Sequence, residues 1–199
     1  MPVGRILLTV MKMKILIGLI FGVVLVICAV LLFRQNQPKN QVPNIDQSLT
    51  NKTMILTSSQ FKNNDFFPAK YSCQGEGVNP PLAISGTPKS SKSLALVVDD
   101  PDAVGGTFVH WLAWNIDPAT SSIAENSAPP GGIQGKNSGG TNSYYPPCPP
   151  SGAHHYRFKV YALDVKLDLE SSADEAALMK AVEGHVLDQA ELVGLYQKQ

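Results

Sequence analysis

Asp99-Asp100-Pro101-Asp102 sets three carboxylates on a proline turn, and His110 follows after a single Gly105-Gly106 connection. Acids and a histidine this close suit a metal site, an acid/base pair, a ligand pocket or a plain polar turn. Pro101 fixes its own φ and pushes Asp100 into an extended conformation, while the acids can accept from local backbone N–H groups. A second set comes later, in Tyr144-Tyr145-Pro146-Pro147-Cys148-Pro149-Pro150-Ser151-Gly152-Ala153-His154-His155-Tyr156. Here a stiff proline loop delivers two histidines and a tyrosine, at little ordering cost. Alternation along a strand puts His154 and Tyr156 on one face and His155 on the other.

Two chemistries follow from these residue types. Two imidazoles and a phenol can donate to the oxygens of a phosphate or carboxylate. Asp100 beside a histidine would orient it and raise its pKa, favouring a cationic, anion-binding ring. With no arginine fork nearby, such binding is expected to be weak and pH-dependent. The alternative is a metal-dependent hydrolase in which Asp100 or Asp102, His110 and His154 form a two-histidine, one-carboxylate site. No H-x-x-x-H or D-x-D-G spacing supports that, and no G-x-S-x-G marks a serine hydrolase. The duller readings are a polar turn, a satisfied core histidine in an apolar strand, and a purely structural domain.

The elements that must position these residues show in the apolar patterning. Ser93 to Asp99 is a near-continuous apolar run bounded by turn residues, as in a buried strand. Thr107 to Ile116 alternates, placing Phe108, His110, Leu112 and Trp114 on one face and Val109, Trp111 and Ala113 on the other. Tyr156 to Leu163 alternates too, with Tyr156, Phe158, Val160 and Ala162 together, and Met54 to Thr57 is strand-like. The period then changes. Ser172 to Glu175 matches a capping box before Ala176, Leu178, Met179 and Val182 at helical spacing. After Gly184, the stretch Val186 to Tyr196 reads as a second short helix through Leu187, Ala190, Leu192, Val193 and Tyr196. Strands first and helices last predict a mostly antiparallel β domain with peripheral C-terminal helices.

Residues 15–33 are of a different kind. The run from Ile15 to Phe33 is uncharged and long enough to cross the ~30 Å hydrocarbon core as a helix. It ends in Leu31-Leu32-Phe33-Arg34 without the small residues of a cleavage site, so an uncleaved anchor is expected. A cleaved signal, or lipidation at Cys28, is the alternative. Residues 1–14 precede the anchor, residues 34–52 are a polar, proline-containing tether, and residues 53–199 form the domain. That arrangement predicts a single-pass membrane protein with its C-terminal domain outside the cytoplasm, periplasmic or at the cell surface, or secreted after cleavage. The 199 residues carry 16 basic and 16 acidic side chains, and this zero net charge, without any Lys/Arg cluster, argues against nucleic acid.

In order and spacing, Gly75-Glu76-Gly77-Val78-Asn79-Pro80-Pro81-Leu82, Asp100-Pro101-Asp102-Ala103, His110-Trp111, Asn137 with Gly140, Pro147-Cys148-Pro149-Pro150 and His154 to Tyr156 carry a resemblance. From about Thr53 to Tyr196 the chain resembles a phosphatidylethanolamine-binding protein, the Raf kinase inhibitor protein-like family, in its bacterial and archaeal branch. The resemblance implies a β-sandwich-like core with a small anion pocket at one end. Residues matching the family's pocket are Asp100, His110, His154 and Tyr156, with Pro147 in its wall and Tyr196 near its rim. It implies a non-enzymatic binding or regulatory protein without a cofactor. Its partners would be a lipid headgroup, a phosphorylated or acidic peptide, or a protein target such as a protease or kinase. The chain departs from the family at Val104-Gly105-Gly106, where a proline commonly follows the alanine. It departs again at Pro146, where glycine is usual, and at His155, where arginine is common. Cys73 and Cys148 both flank motifs at the same end of the fold, so they are a possible disulfide, with two separate thiols as the alternative.

Overall fold

The computed structural model describes residues 53–199. The expected anchor at 15–33, with the segments 1–14 and 34–52 around it, lies outside the described residues. Among the described residues no helix is long and apolar enough to cross a membrane. The described residues form two sheets. The smaller has the order β1 (Ile55–Thr57), β3 (Leu82–Ser85), β6 (Ser122–Ile123). The larger has the order β2 (Asp65–Phe66), β9 (Val186–Gln197), β8 (Ala153–Leu163), β4 (Ser93–Asp100), β5 (Phe108–Ile116), β7 (Ile133–Gln134). Every pairing is antiparallel except β2 with β9.

β4 is buried at every position, because both faces of the large sheet are covered. Leu94, Leu96 and Val98 pack in one core cluster with Leu56, Leu82, Ile84 and Ile123 of the small sheet. Ala95 and Val97 pack in a second with Leu112, Trp114 and the helix residues Leu178 and Val182. A strand covered on both sides has no polar face to show, hence the continuous apolar run. Tyr156, Phe158, Val160 and Ala162 of β8 all belong to the first cluster, as their alternation predicts.

Three expectations are corrected. The first concerns β5. Its register with β4 runs Val98 to Trp111 and then Asp99 to Val109, so His110 is the extra residue of a bulge. Leu112 and Trp114 pack with Val109 in the helix-side cluster. The His110 ring instead lies edge-on to Tyr156, with centroids 5.2 Å apart. Strict alternation would have put His110 on the wrong face; one unpaired residue re-aims it.

The second correction is the C-terminus. Val186–Gln197 is a twelve-residue strand, not a helix, and pairs along the length of β8 from Ala153↔Gln197 to Leu163↔Val186. The open edge of β8 offers a full ladder, which outweighs a weak helical spacing in so short a segment. Leu192, Gly194 and Tyr196 share the buried face. Gly194 is required there, since a Cβ would come within 2.7 Å of the Phe67 ring and 2.8 Å of Phe61.

The third is the helix start. α1 spans Glu175–Val182, and its N-cap is Asp174 rather than Ser172: the Asp174 carboxylate accepts from the Ala177 N–H at 3.0 Å.

Candidate functional site

Three neighbouring strands deliver the site. Asp100 ends β4, His110 sits on the β5 bulge, and His154 and Tyr156 project from the same face of β8. All four line a cavity of about 270 Å³. Its remaining wall comes from the proline loop, through Tyr145, Pro146 and Cys148 to Pro150, and from Ala103, Val104 and Phe108. No lysine or arginine side chain lines it.

Asp100 is the organiser. One carboxylate oxygen accepts from the Asp102 backbone N–H at 2.8 Å, which closes the proline turn; the other accepts from His154 Nδ1 at 2.7 Å. His110 Nδ1 donates to the Tyr145 carbonyl at 2.8 Å. Both imidazoles are thus held through Nδ1. The Tyr156 hydroxyl is fully buried and makes no hydrogen bond of ordinary geometry. Burial, and then the nearby Asp100 carboxylate, push that phenol well above its ordinary pKa, so it stays protonated.

The histidine that Asp100 holds is His154, and it is His110 whose pKa is displaced. Desolvation is the largest influence and lowers it, outweighing the opposing pull of the Tyr145 carbonyl and of the Asp100 and Asp99 carboxylates. His110 therefore favours the neutral ring.

Two residues assigned to the pocket by resemblance stand behind it. Pro147 is buried outside the lining, and its carbonyl accepts from the Cys73 N–H at 3.0 Å. Tyr196 is also absent from the lining: its hydroxyl donates to Gln74 Oε1 at 2.6 Å and its ring stacks on Phe67 at 5.2 Å. Asp102 lies outside too, accepting from the His155 N–H at 2.8 Å and from His155 Nδ1 at 2.7 Å. The His155 ring points away from the cavity on the exposed side.

Tyr145 was not foreseen as a site residue, although its carbonyl fixes His110; only its place beside the proline run hinted at it. Cys73 and Cys148 are bridged, with Cα atoms 5.4 Å apart, joining the Cys73–Gly77 loop to the pocket wall. Their sequence separation of 75 gives a cross-link worth about 4 kcal/mol in the chain-entropy view.

Among the described residues no three His, Cys, Asp or Glu side chains are grouped so as to hold a metal ion. Of the two carboxylates the hydrolase alternative could use, Asp100 has each oxygen accepting a hydrogen bond and Asp102 is held by His155 outside the cavity.

The sequence model of the phosphatidylethanolamine-binding protein family matches residues 57–197. The chain belongs to this family. As a phosphatidylethanolamine-binding protein it is similar to a UPF0098 protein of Pyrococcus horikoshii, 50% identical over 155 residues that cover 74% of this chain and 78% of that one. It is also similar to a Mycobacterium tuberculosis protein provisionally named lipoprotein LppC, 42% identical over 146 residues, 72% of each chain. Among solved structures, a Chlamydia trachomatis protein provisionally described as a phosphatidylethanolamine-binding protein homologue superposes with a TM-score of 0.72 at 42% identity, covering 74% of this chain and 99% of that one. The Escherichia coli family member YbcL gives 0.69 at 29% identity, covering 73% and 99%. The mostly-β family fold, in its bacterial and archaeal branch, is therefore that of this chain.

Proposed function

We propose that this family member is a non-enzymatic binding protein whose pocket takes a small phosphate- or carboxylate-bearing group, such as a lipid headgroup or an acidic or phosphorylated peptide side chain. The observation that carries the reading is the Tyr156 hydroxyl. That hydroxyl makes no hydrogen bond of ordinary geometry and has the Asp100 carboxylate as its polar neighbour. The Tyr156 ring lies 5.2 Å from that of His110 and 6.4 Å from that of His154, and the residue lines a cavity of about 270 Å³, of the right size for such a group. A bound oxyanion oxygen would accept from it.

A membrane-tethered, extracytoplasmic setting accompanies this reading. It is supported by the uncharged run at 15–33 and by the lipoprotein name of the mycobacterial relative. A disulfide also suits an oxidising compartment. In that setting a secreted protease inhibited through the same pocket is the better-matched protein target, since a kinase suits an extracytoplasmic domain poorly.

Calorimetric titration with phosphoethanolamine tests the pocket. Saturable binding that His154→Ala abolishes is the expected result; no binding at millimolar ligand would refute the reading.

A further inference from the structure

Beside the anion cavity lies a second one of about 190 Å³, and what it implies rests on the anion-pocket reading above. The β5 bulge divides the two. Trp111 packs in the same core cluster as Tyr156, and the His110 ring lies edge-on to Tyr156, so both consecutive side chains turn to one side of the sheet. His110 lines the anion cavity and Trp111 the second. The proline loop divides in step. Tyr145 faces His110 in the first cavity, and Tyr144 meets Trp111 edge-on in the second, with centroids 5.7 Å apart. A 2.8 Å bond from the Tyr145 N–H to the His110 carbonyl ties this partition together. Neighbouring Cα atoms stand about 3.8 Å apart, so one short chain can reach both cavities.

The second cavity has a different chemistry. Its only titratable lining group is the Tyr144 phenol, which already donates to the Tyr71 carbonyl at 2.9 Å. Gln134 and Asn126 supply the open hydrogen-bonding groups. An indole N–H can only donate, so the 2.7 Å contact with Trp111 Nε1 fixes Gln134 Oε1 as the acceptor. Gln134 Nε2 is then a donor with no acceptor among the described residues. Asn126, on the loop after β6, is held at φ +52°, with its backbone N–H donating to the Asn79 carbonyl at 3.3 Å. Its side-chain amide makes no hydrogen bond among the described residues. Two open amides in a cavity without charge suit a neutral group that both accepts and donates. A carboxamide is such a group, whereas a charged one would be desolvated there without a counter-charge.

We propose that the second cavity is a subsite for the side chain of an asparagine or glutamine in a peptide whose acidic or phosphorylated residue fills the anion cavity. Gln134 Nε2 donates to the ligand's amide oxygen, and Asn126 Oδ1 accepts from its N–H. Val78 and Ala128 flank the methylenes. A lipid headgroup enters the anion cavity alone; a peptide uses both.

Two peptides isolate the second cavity: acetyl-Gln-Gln-phosphoserine-Gln-Gln-amide, and the same peptide with alanine for every glutamine. The first places a glutamine within two residues of the phosphate in either chain direction. Calorimetry with the 199-residue chain should show it bound more than about tenfold tighter than the second. A smaller ratio overturns the inference. Gln134→Glu keeps an oxygen for the Trp111 indole but replaces the open donor by an acceptor, so the ratio should collapse. Asn126→Gly suits the positive φ and removes the other amide, so it should reduce the ratio as well. Asn126 is exposed, so this variant tests the cavity even where Gln134→Glu does not fold. A full ratio in every folded variant also overturns the inference. Phosphoethanolamine bound while the two peptides bind alike, or not at all, overturns the subsite and leaves the anion pocket standing. Dihexanoyl phosphatidylethanolamine bound tighter than both peptides in that case assigns the pocket to lipid. Binding of neither peptide nor phosphoethanolamine overturns the anion-pocket reading itself.

Discussion

Asp99 and Asp100 are consecutive on β4 and turn to opposite faces of the sheet, each into its own set of partners. Asp99 is held by Arg157 at 2.6 and 3.1 Å and by Lys159 at 2.6 Å; Asp100 is held by His154 at 2.7 Å. The first is a structural ion pair under the helix side of the sheet, the second the organiser of the cavity. Asp99→Asn should therefore act on stability. Removing one partner of a buried pair strands the others, at a cost of about 3 kcal/mol, the low end of the usual range because Arg157 is about a third exposed. Urea unfolding should show that loss while phosphoethanolamine affinity stays unchanged. Asp100→Asn should show the converse, with affinity falling far more than the unfolding midpoint.

Tyr156→Phe separates function from stability in a single atom. The hydroxyl makes no hydrogen bond of ordinary geometry and has only the Asp100 carboxylate as a polar neighbour, so its removal should change stability by no more than about 1 kcal/mol. Affinity for phosphoethanolamine should drop at least about tenfold. A variant both less stable and equally tight-binding would place the hydroxyl in a structural network instead.

His110 sets a pH dependence of folding. Its folded pKa lies below the ordinary 6.5 because burial penalises the cation, so the unfolded chain takes up a proton there before the folded one does. Stability from this group is fully present above about pH 6.5 and is lost as pH falls from there through the folded pKa. Urea midpoints measured between about pH 7 and 5 should decline, and His110→Gln should flatten the decline. An equal slope in the variant would assign it to other groups.

What the sequence makes legible is what short-range patterning controls. The apolar run of β4 and the alternation of β8 are encoded locally, and with them the pairing of His154 and Tyr156 on one face. The turn residues fix Asp100 through a bond to the amide two residues on. Long-range terms decide the rest. β9 is a strand because β8 has an edge to fill, a fact invisible in Val186 to Tyr196 alone. The bulge that turns His110 toward Tyr156 appears only in the register between β4 and β5. Tyr196 and Pro147 carry the right residue types, yet Gln74 and Cys73 draw them into the packing behind the cavity. The sign of the His110 pKa shift needed a burial that one residue's neighbours in sequence do not report.

The four histidines make the most direct test of the pocket. His110 and His154 line the cavity, whereas His155 and His185 pair with Asp102 and Asp164 outside it. Phosphoethanolamine titrated into the protein, with the histidine ring protons followed by NMR, should shift His110 and His154 saturably and together. His155 and His185 should hold still as internal controls. Shifts confined to His155 and His185, or no shift at millimolar ligand, would contradict an anion pocket built on Asp100, His110, His154 and Tyr156.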